Sequence, residues 1–252
     1  MLAGLGPPIA FAIVVWWLGT GVILYLDGLA RSTFRRSLIW TTAIACISVV
    51  GIIITKEMHS VFAAYVSFTC GLVIWGWLEM AFLMGFLTGP RRVACTAERF
   101  GWERTVQAIQ TILYYEVAII FTGAILLATS WNAPNQIGAW TFFLLFAMRL
   151  SAKLNVFLGV RNLSEEFLPK HLRYLATYFT RKNMNPFFPF SMGASIIVFG
   201  LLIKAMTDPS RQPFETTAHA FVATLMCLAI LEHVFMVMPL SLSGLWRWSL
   251  RS

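Results

Sequence analysis

Ionisable side chains interrupt stretches that are otherwise apolar: Glu79, Glu116, Arg149, Lys153 and Glu232, with Asn155 and His233 close by in sequence. In "LLFAMRLSAKLNVFLGV" (144–160) the two cations stand one helical turn apart. A charge held at mid-bilayer costs about 3 kcal/mol or more, so such groups normally face the bundle interior and pair. Arginine's planar fork can bridge two carboxylates at once. The spacing therefore predicts a buried polar network of Glu79, Glu116, Arg149, Lys153, Asn155, Glu232 and His233, with Arg149 at its hub. Three chemistries are open to it: an architectural ion-pair lock, a ligand or pigment site, and a proton or ion path. For a pigment, a neutral His233 imidazole is the candidate axial ligand of a metallotetrapyrrole, with Trp75, Trp77 and Phe235 as walls.

The elements that must position these groups are membrane helices. The 252 residues are 58% hydrophobic and 12% charged, about half the charged share of a soluble chain, and mean hydropathy is +0.74. Apolar segments near bilayer-spanning length run over about 8–26, 37–55, 61–88, 106–130, 138–158, 187–206 and 217–241. The expectation is an all-α, polytopic seven-transmembrane helix bundle forming a single domain over 1–252. Prolines 7, 8, 90, 134, 186, 189 and 239 mark segment ends, where the missing N–H is tolerated. Counted from the segment ends, Glu79, Glu116, Arg149 and Glu232 each lie about nine or ten residues deep, roughly 14 Å at 1.5 Å per residue.

The net charge of +8 is a topology signal rather than a nucleic-acid stripe, because the basic residues sit in short loops. Arg31, Arg35, Arg36, Arg91, Arg92, Arg99, Arg104, Arg161, Lys170, Arg173, Arg181, Lys182, Arg247 and Arg251 fall on one side, and only Lys56, Lys204 and Arg211 on the other. That asymmetry predicts a periplasmic N-terminus and a cytoplasmic C-terminus. Within the basic side, "LPKHLRYLATYF" places Leu168, Leu172, Leu175, Ala176 and Phe179 on one face, the pattern of an interfacial helix near 168–180. It is either a lipid-surface anchor or a partner-docking face presenting Glu165, Glu166, Lys170, His171 and Arg173. Asn162 and Glu165 have capping-box spacing.

Several functions lack their marks. The last span has no lysine for a retinal Schiff base. Histidine pairs on facing helices, Glu-x-x-His pairs, Walker A, HExxH and dinucleotide fingerprints are all missing. The cysteines (Cys46, Cys70, Cys95, Cys227) have no CxxC spacing, so neither a disulfide framework nor a metal site is expected. No catalytic residue is assigned, and enzymatic activity of the chain alone is not expected.

The block "WNAPNQIGAWTFFLLFAMRLSAKLNVFLGVRNLSEEFLPKHLRYLATYF" (131–179) resembles the signature stretch of the photosynthetic complex assembly protein 2 family, PuhE-like. "VVWWLGTGVILYLDGLARSTFRRSL", "GLVIWGWLEMAFLMGFLTGPRR" and "KNMNPFFPFS" match as well. The resemblance implies a multi-pass protein of the inner (intracytoplasmic) membrane of anoxygenic phototrophic bacteria. It further implies a role in assembling the reaction centre and core antenna, with no settled biochemical activity to transfer. Glu79, Arg149, Lys153, Asn155, Glu165 and Glu166 fall in matching motifs; His233 does not. The expected role is a non-catalytic assembly or accessory subunit. Its client would be a reaction-centre or antenna component, or a bacteriochlorophyll-synthesis enzyme such as the oxygen-dependent ring cyclase. The alternatives are a carrier of bacteriochlorophyll or a precursor tetrapyrrole through His233, and a proton or ion path. Lipids are expected as bound partners.

Overall fold

Pro7 and Pro8 occupy the first turn of helix α1 (Gly6–Asp27), where a proline removes no helical hydrogen bond. The computed structural model describes residues 4–96, 101–238 and 246. After α1 come α2 (Arg31–Thr55), α3 (Val61–Leu83), α4 (Trp102–Ser130), α5 (Ile137–Leu158), α6 (Phe187–Met206) and α7 (Pro213–Val237). Each of the seven is long and apolar enough to cross a membrane. No β-strand occurs among the described residues, so the chain is an all-α, multi-pass membrane protein. Residues 239–241 of the expected last span, and Arg99, Arg247 and Arg251, lie outside the described residues.

Helices α3 and α7 form the centre: half of the apolar stretch of each is buried, against 11% for α1. One apolar cluster joins α1, α3, α5 and α7 through Ala12, Phe68, Leu144, Met148, Phe221 and Leu225. A second joins α2, α3, α4 and α5 through Ile52, Trp75, Leu78, Ile119 and Phe142. Between lipid-solvated helices close packing replaces hydrophobic drive, and small residues permit it. At the α3–α5 crossing a Cβ on Gly71 would stand 2.5 Å from the Gly138 carbonyl oxygen. The Gly138 N–H donates to Ser67 Oγ at 3.0 Å. That contact sets the register of two helices running in the same direction, and Glu79 and Arg149 lie two to three turns beyond it.

Three boundaries depart from expectation. α2 begins at Arg31 and α4 at Trp102, because arginine and polar residues extend a helix past the hydrocarbon edge without penalty. α3 stops at Leu83 rather than near 88. Gly85 adopts a φ of +81°, a left-handed conformation that ends a helix at little steric cost. The Phe86 and Leu87 N–H groups turn back to the Ala81 carbonyl. The loop then packs against α4. The Tyr115 N–H donates to the Thr88 carbonyl at 3.1 Å, and the Arg91 N–H donates to the Gln110 carbonyl at 3.3 Å.

The expected interfacial helix is a 3-10 helix over Lys170–Tyr178. Its apolar face does not rest on lipid: Leu172 and Leu175 are buried in the same cluster as Trp75 and Tyr115. The segment is a lid over the arginine-rich end of the bundle, which corrects the lipid-anchor reading. The expected capping box is absent too. Asn162 Nδ2 donates instead to the carbonyls of Phe235, at 2.8 Å, and Met238.

Candidate functional site: an intramembrane polar layer

Glu79 reaches the layer from the last turn of α3. Its Oε2 accepts from Arg149 Nη2 at 2.9 Å, and its Oε1 accepts from the Tyr115 hydroxyl at 2.6 Å. Both carboxylate oxygens are thus satisfied by charge-assisted or strong donors, which is what a buried carboxylate requires. One turn along α5, Lys153 Nζ pairs with Glu116 and stands 4.9 Å from the centroid of the Tyr115 ring. Tyr115, 1% exposed, therefore separates two parallel ion pairs that tie α5 to α3 and to α4.

α7 enters at the same height through its histidine. His233 Nδ1 faces the Ala229 carbonyl at 2.9 Å, and a carbonyl can only accept, so Nδ1 carries the proton. In the neutral ring Nε2 then accepts from Ser151 Oγ at 3.0 Å. Ser151 lies between Arg149 and Lys153 on α5. His233 is 2% exposed, and both ring nitrogens are engaged. To serve as an axial ligand through Nε2, His233 would have to give up the Ser151 bond. Trp75 packs edge-on against Phe142, and Trp77 Nε1 donates to Thr42 Oγ1 at 2.8 Å.

Glu232, the neighbour of His233, does not join the lock. It is exposed on the outer face of α7, and no ion pair links it to any described residue. The physical reason is helical: consecutive residues point about 100° apart, so turning His233 into the core turns Glu232 out of it. The Arg149 side chain is itself 40% exposed, and Glu232 lies close enough to act on its charge. Arg149 is bonded directly to one carboxylate, Glu79, and feels a second, Glu232, at longer range. It makes one ion pair, to Glu79, beside a second carboxylate at the bundle surface.

Asn155 belongs to a different cluster. Fully buried, it donates to the Ser151 carbonyl (3.0 Å) and Ser191 Oγ (3.2 Å) and accepts from Asn185 Nδ2 at 3.0 Å. Asn185 also donates to the Gly159 carbonyl, and its Oδ1 accepts from the N–H groups of Phe187 and Phe188. That side chain caps α6, as asparagine does at a helix start, and the Asn-Pro dipeptide at 185–186 is the signal that could have found it. In the sequence Arg104 is only one of the topology charges. It is 7% exposed, donates to Thr180 Oγ1 at 2.7 Å and to the Tyr178 and Phe157 carbonyls, and lies 4.1 Å from the Phe157 ring centroid. No sequence pattern separates it from the arginines that stay in water.

The docking expectation is divided by the structure. Glu165, Glu166, Lys170 and Arg173 are exposed, and Glu165 pairs with Arg181 at 3.4 Å. His171 is turned inward, with Nε2 donating to the Leu83 carbonyl at 2.8 Å. Burial of the ring lowers its pKa from the ordinary 6.5. Among the described residues no three His, Cys, Asp or Glu side chains gather as a metal site would require.

A seven-helix membrane protein with two interhelical ion pairs about a buried tyrosine is the class these features define. The chain belongs to the family described as protein of unknown function (DUF3623), which matches residues 2–252. It is similar to a Rhodobacter capsulatus protein described as an uncharacterized 30.4 kDa protein in the puhA 5′ region. The two are 34% identical over 244 residues, covering 95% of this chain and 89% of the relative. No solved structure matches the chain.

Proposed function

We propose that this chain is a non-catalytic assembly or accessory subunit of bacterial photosynthesis, seated in the inner membrane with its arginine-rich side in the cytoplasm. Its client is another membrane protein: a reaction-centre or antenna component, or a bacteriochlorophyll-synthesis enzyme such as the oxygen-dependent ring cyclase. The relative's position beside puhA and the family resemblance of 131–179 support the photosynthetic setting. Charge in the flanking loops supports the orientation.

The observation that carries a binding role is the exposed Glu232 beside the half-exposed Arg149. A carboxylate facing acyl chains costs about 3 kcal/mol, and a partner span bringing a donor to it removes that cost. Exposed large side chains on the same bundle, such as Leu231 and Ile197, supply surface for helix packing.

The test is affinity purification in mild detergent from phototrophic membranes, comparing wild type with Glu232→Leu. The expected result is a stoichiometric membrane-protein partner, identified by mass spectrometry, that is lost with Glu232→Leu while the bait itself is recovered folded. Wild type free of any stoichiometric partner, or undiminished capture by the variant, overturns the proposal.

A further inference from the structure

At the arginine-rich end, the start of α2, the 84–92 loop and the 3-10 lid enclose a half-open cavity of about 360 Å³. Arg31 and Arg92 line it together with Thr88, Tyr174 and the apolar side chains Phe34 and Phe86. Neither arginine forms an ion pair with a described carboxylate. Both arginines are exposed, and their charge makes the mouth of the cavity basic.

The cavity floor is also left incomplete. Thr88, 1% exposed, and Tyr174 set their hydroxyls beside each other, close enough for one to bond the other, and neither hydroxyl has any further partner. A bond between two hydroxyls uses one of their protons, so the other is left to donate to an acceptor in the cavity. Arg31 is moreover the first residue of α2, whose N-cap, Ala30, has no side-chain cap and whose first turn has no acidic residue. A helix start without such a cap favours an anion.

We propose that this cavity binds a phosphate ester, and that its occupant is the headgroup of an acidic phospholipid. Arg31 and Arg92 hold the phosphate oxygens as charge-assisted donors. One of the Thr88 and Tyr174 hydroxyls donates from the floor, and Phe34 and Phe86 flank the start of the glycerol and acyl chains. The site faces the end of the bundle at which a headgroup layer would lie. It is separate from the Glu232 surface and does not depend on the identity of any client.

Native mass spectrometry of the purified protein, titrated with phosphatidylglycerol or with phosphatidylcholine, tests the assignment. Phosphatidylglycerol is expected to bind preferentially, with about a tenfold weaker apparent affinity in the Arg31→Gln/Arg92→Gln variant, the scale of losing a charge-assisted contact. Thr88→Val should weaken it as well. Arg35→Gln and Arg173→Gln, which remove exposed charge outside the cavity, should not. Inorganic phosphate at millimolar concentration is the competing arm, and a lipid site resists it. Equal binding of both lipids, equal loss in the outlying arginine variants, or ready displacement by inorganic phosphate overturns the proposal; the last outcome would assign the cavity to a soluble phosphate.

Discussion

Glu79 and Arg149 sit on parallel neighbouring helices, two to three turns past the glycine contact of Gly71 and Gly138, and meet at 2.9 Å. The close backbone crossing brings the two side chains within reach, and the ion pair with the Tyr115 hydroxyl then holds one register. Packing and charge agree on the same alignment, which favours a lock over a loosely solvated pair.

Removing one partner of that pair should be far worse than removing both. Arg149→Leu strands the Glu79 carboxylate and is expected to destabilise the protein by roughly 3–5 kcal/mol, whereas Glu79→Gln with Arg149→Met should recover much of the loss. Unfolding in mixed detergent micelles, followed by intrinsic fluorescence, gives both numbers. A single variant as stable as wild type would mean the pair holds nothing.

Tyr115→Phe isolates the hydroxyl. It leaves Glu79 Oε1 without a donor, and an unsatisfied buried acceptor costs about 1–3 kcal/mol. The ring, and with it the stacking under Lys153, remains. Glu232→Gln removes an exposed charge with no ion-pair partner among the described residues, so stability should stay level or rise. If Glu232→Gln proves as damaging as Arg149→Leu, Glu232 belongs to the lock after all.

The spans and the ionisable residues were legible because each leaves a mark in composition: a long apolar run, and a charge where lipid forbids one. Their partners were only partly legible. Counting residues from segment ends placed Glu79, Glu116, Arg149 and Glu232 at a common depth, but α3 ends one turn after Glu79 while α4 begins three to four turns before Glu116. The shared height is fixed instead by Lys153 reaching Glu116, Arg149 reaching Glu79, and Ser151 reaching His233. Which of two adjacent residues turns inward is a matter of helix rotation, and the hydropathy of α7 is nearly uniform around its axis. Sequence alone therefore could not set His233 in and Glu232 out. Asn185 and Arg104 bond mainly to backbone carbonyls of other elements, contacts that exist only after the chain has folded.

The lid should respond to acid through His171. Its pKa is lowered in the folded state because burial disfavours the imidazolium. The unfolded chain therefore binds the proton more readily, and the histidine's contribution is intact above its ordinary value near 6.5 and lost as pH falls through the lowered folded pKa. Melting temperature is expected to fall below that pH more steeply for wild type than for His171→Gln, whose amide can still donate to the Leu83 carbonyl. Identical pH profiles for the two proteins would remove His171 from the account.

The strictest steric prediction falls on Gly89. A Cβ there would stand 1.9 Å from the Gln110 carbonyl oxygen and 2.6 Å from the Thr111 carbonyl carbon. Both are helix backbone, which cannot yield as a flexible side-chain tip can. Relief requires the loop to lift from α4, breaking the bonds from Arg91 N–H to Gln110 and from Tyr115 N–H to Thr88. Tyr115 is also the donor to Glu79, so the strain reaches the polar layer. Gly89→Ala is expected to cost about 3 kcal/mol, the upper end for overpacking. Gly19→Ala, with no atom within 4 Å of the added carbon, should be neutral or slightly stabilising, since alanine favours a helix. Thermal melts of the two variants side by side decide the point: equal stability would mean that the loop does not lie against α4.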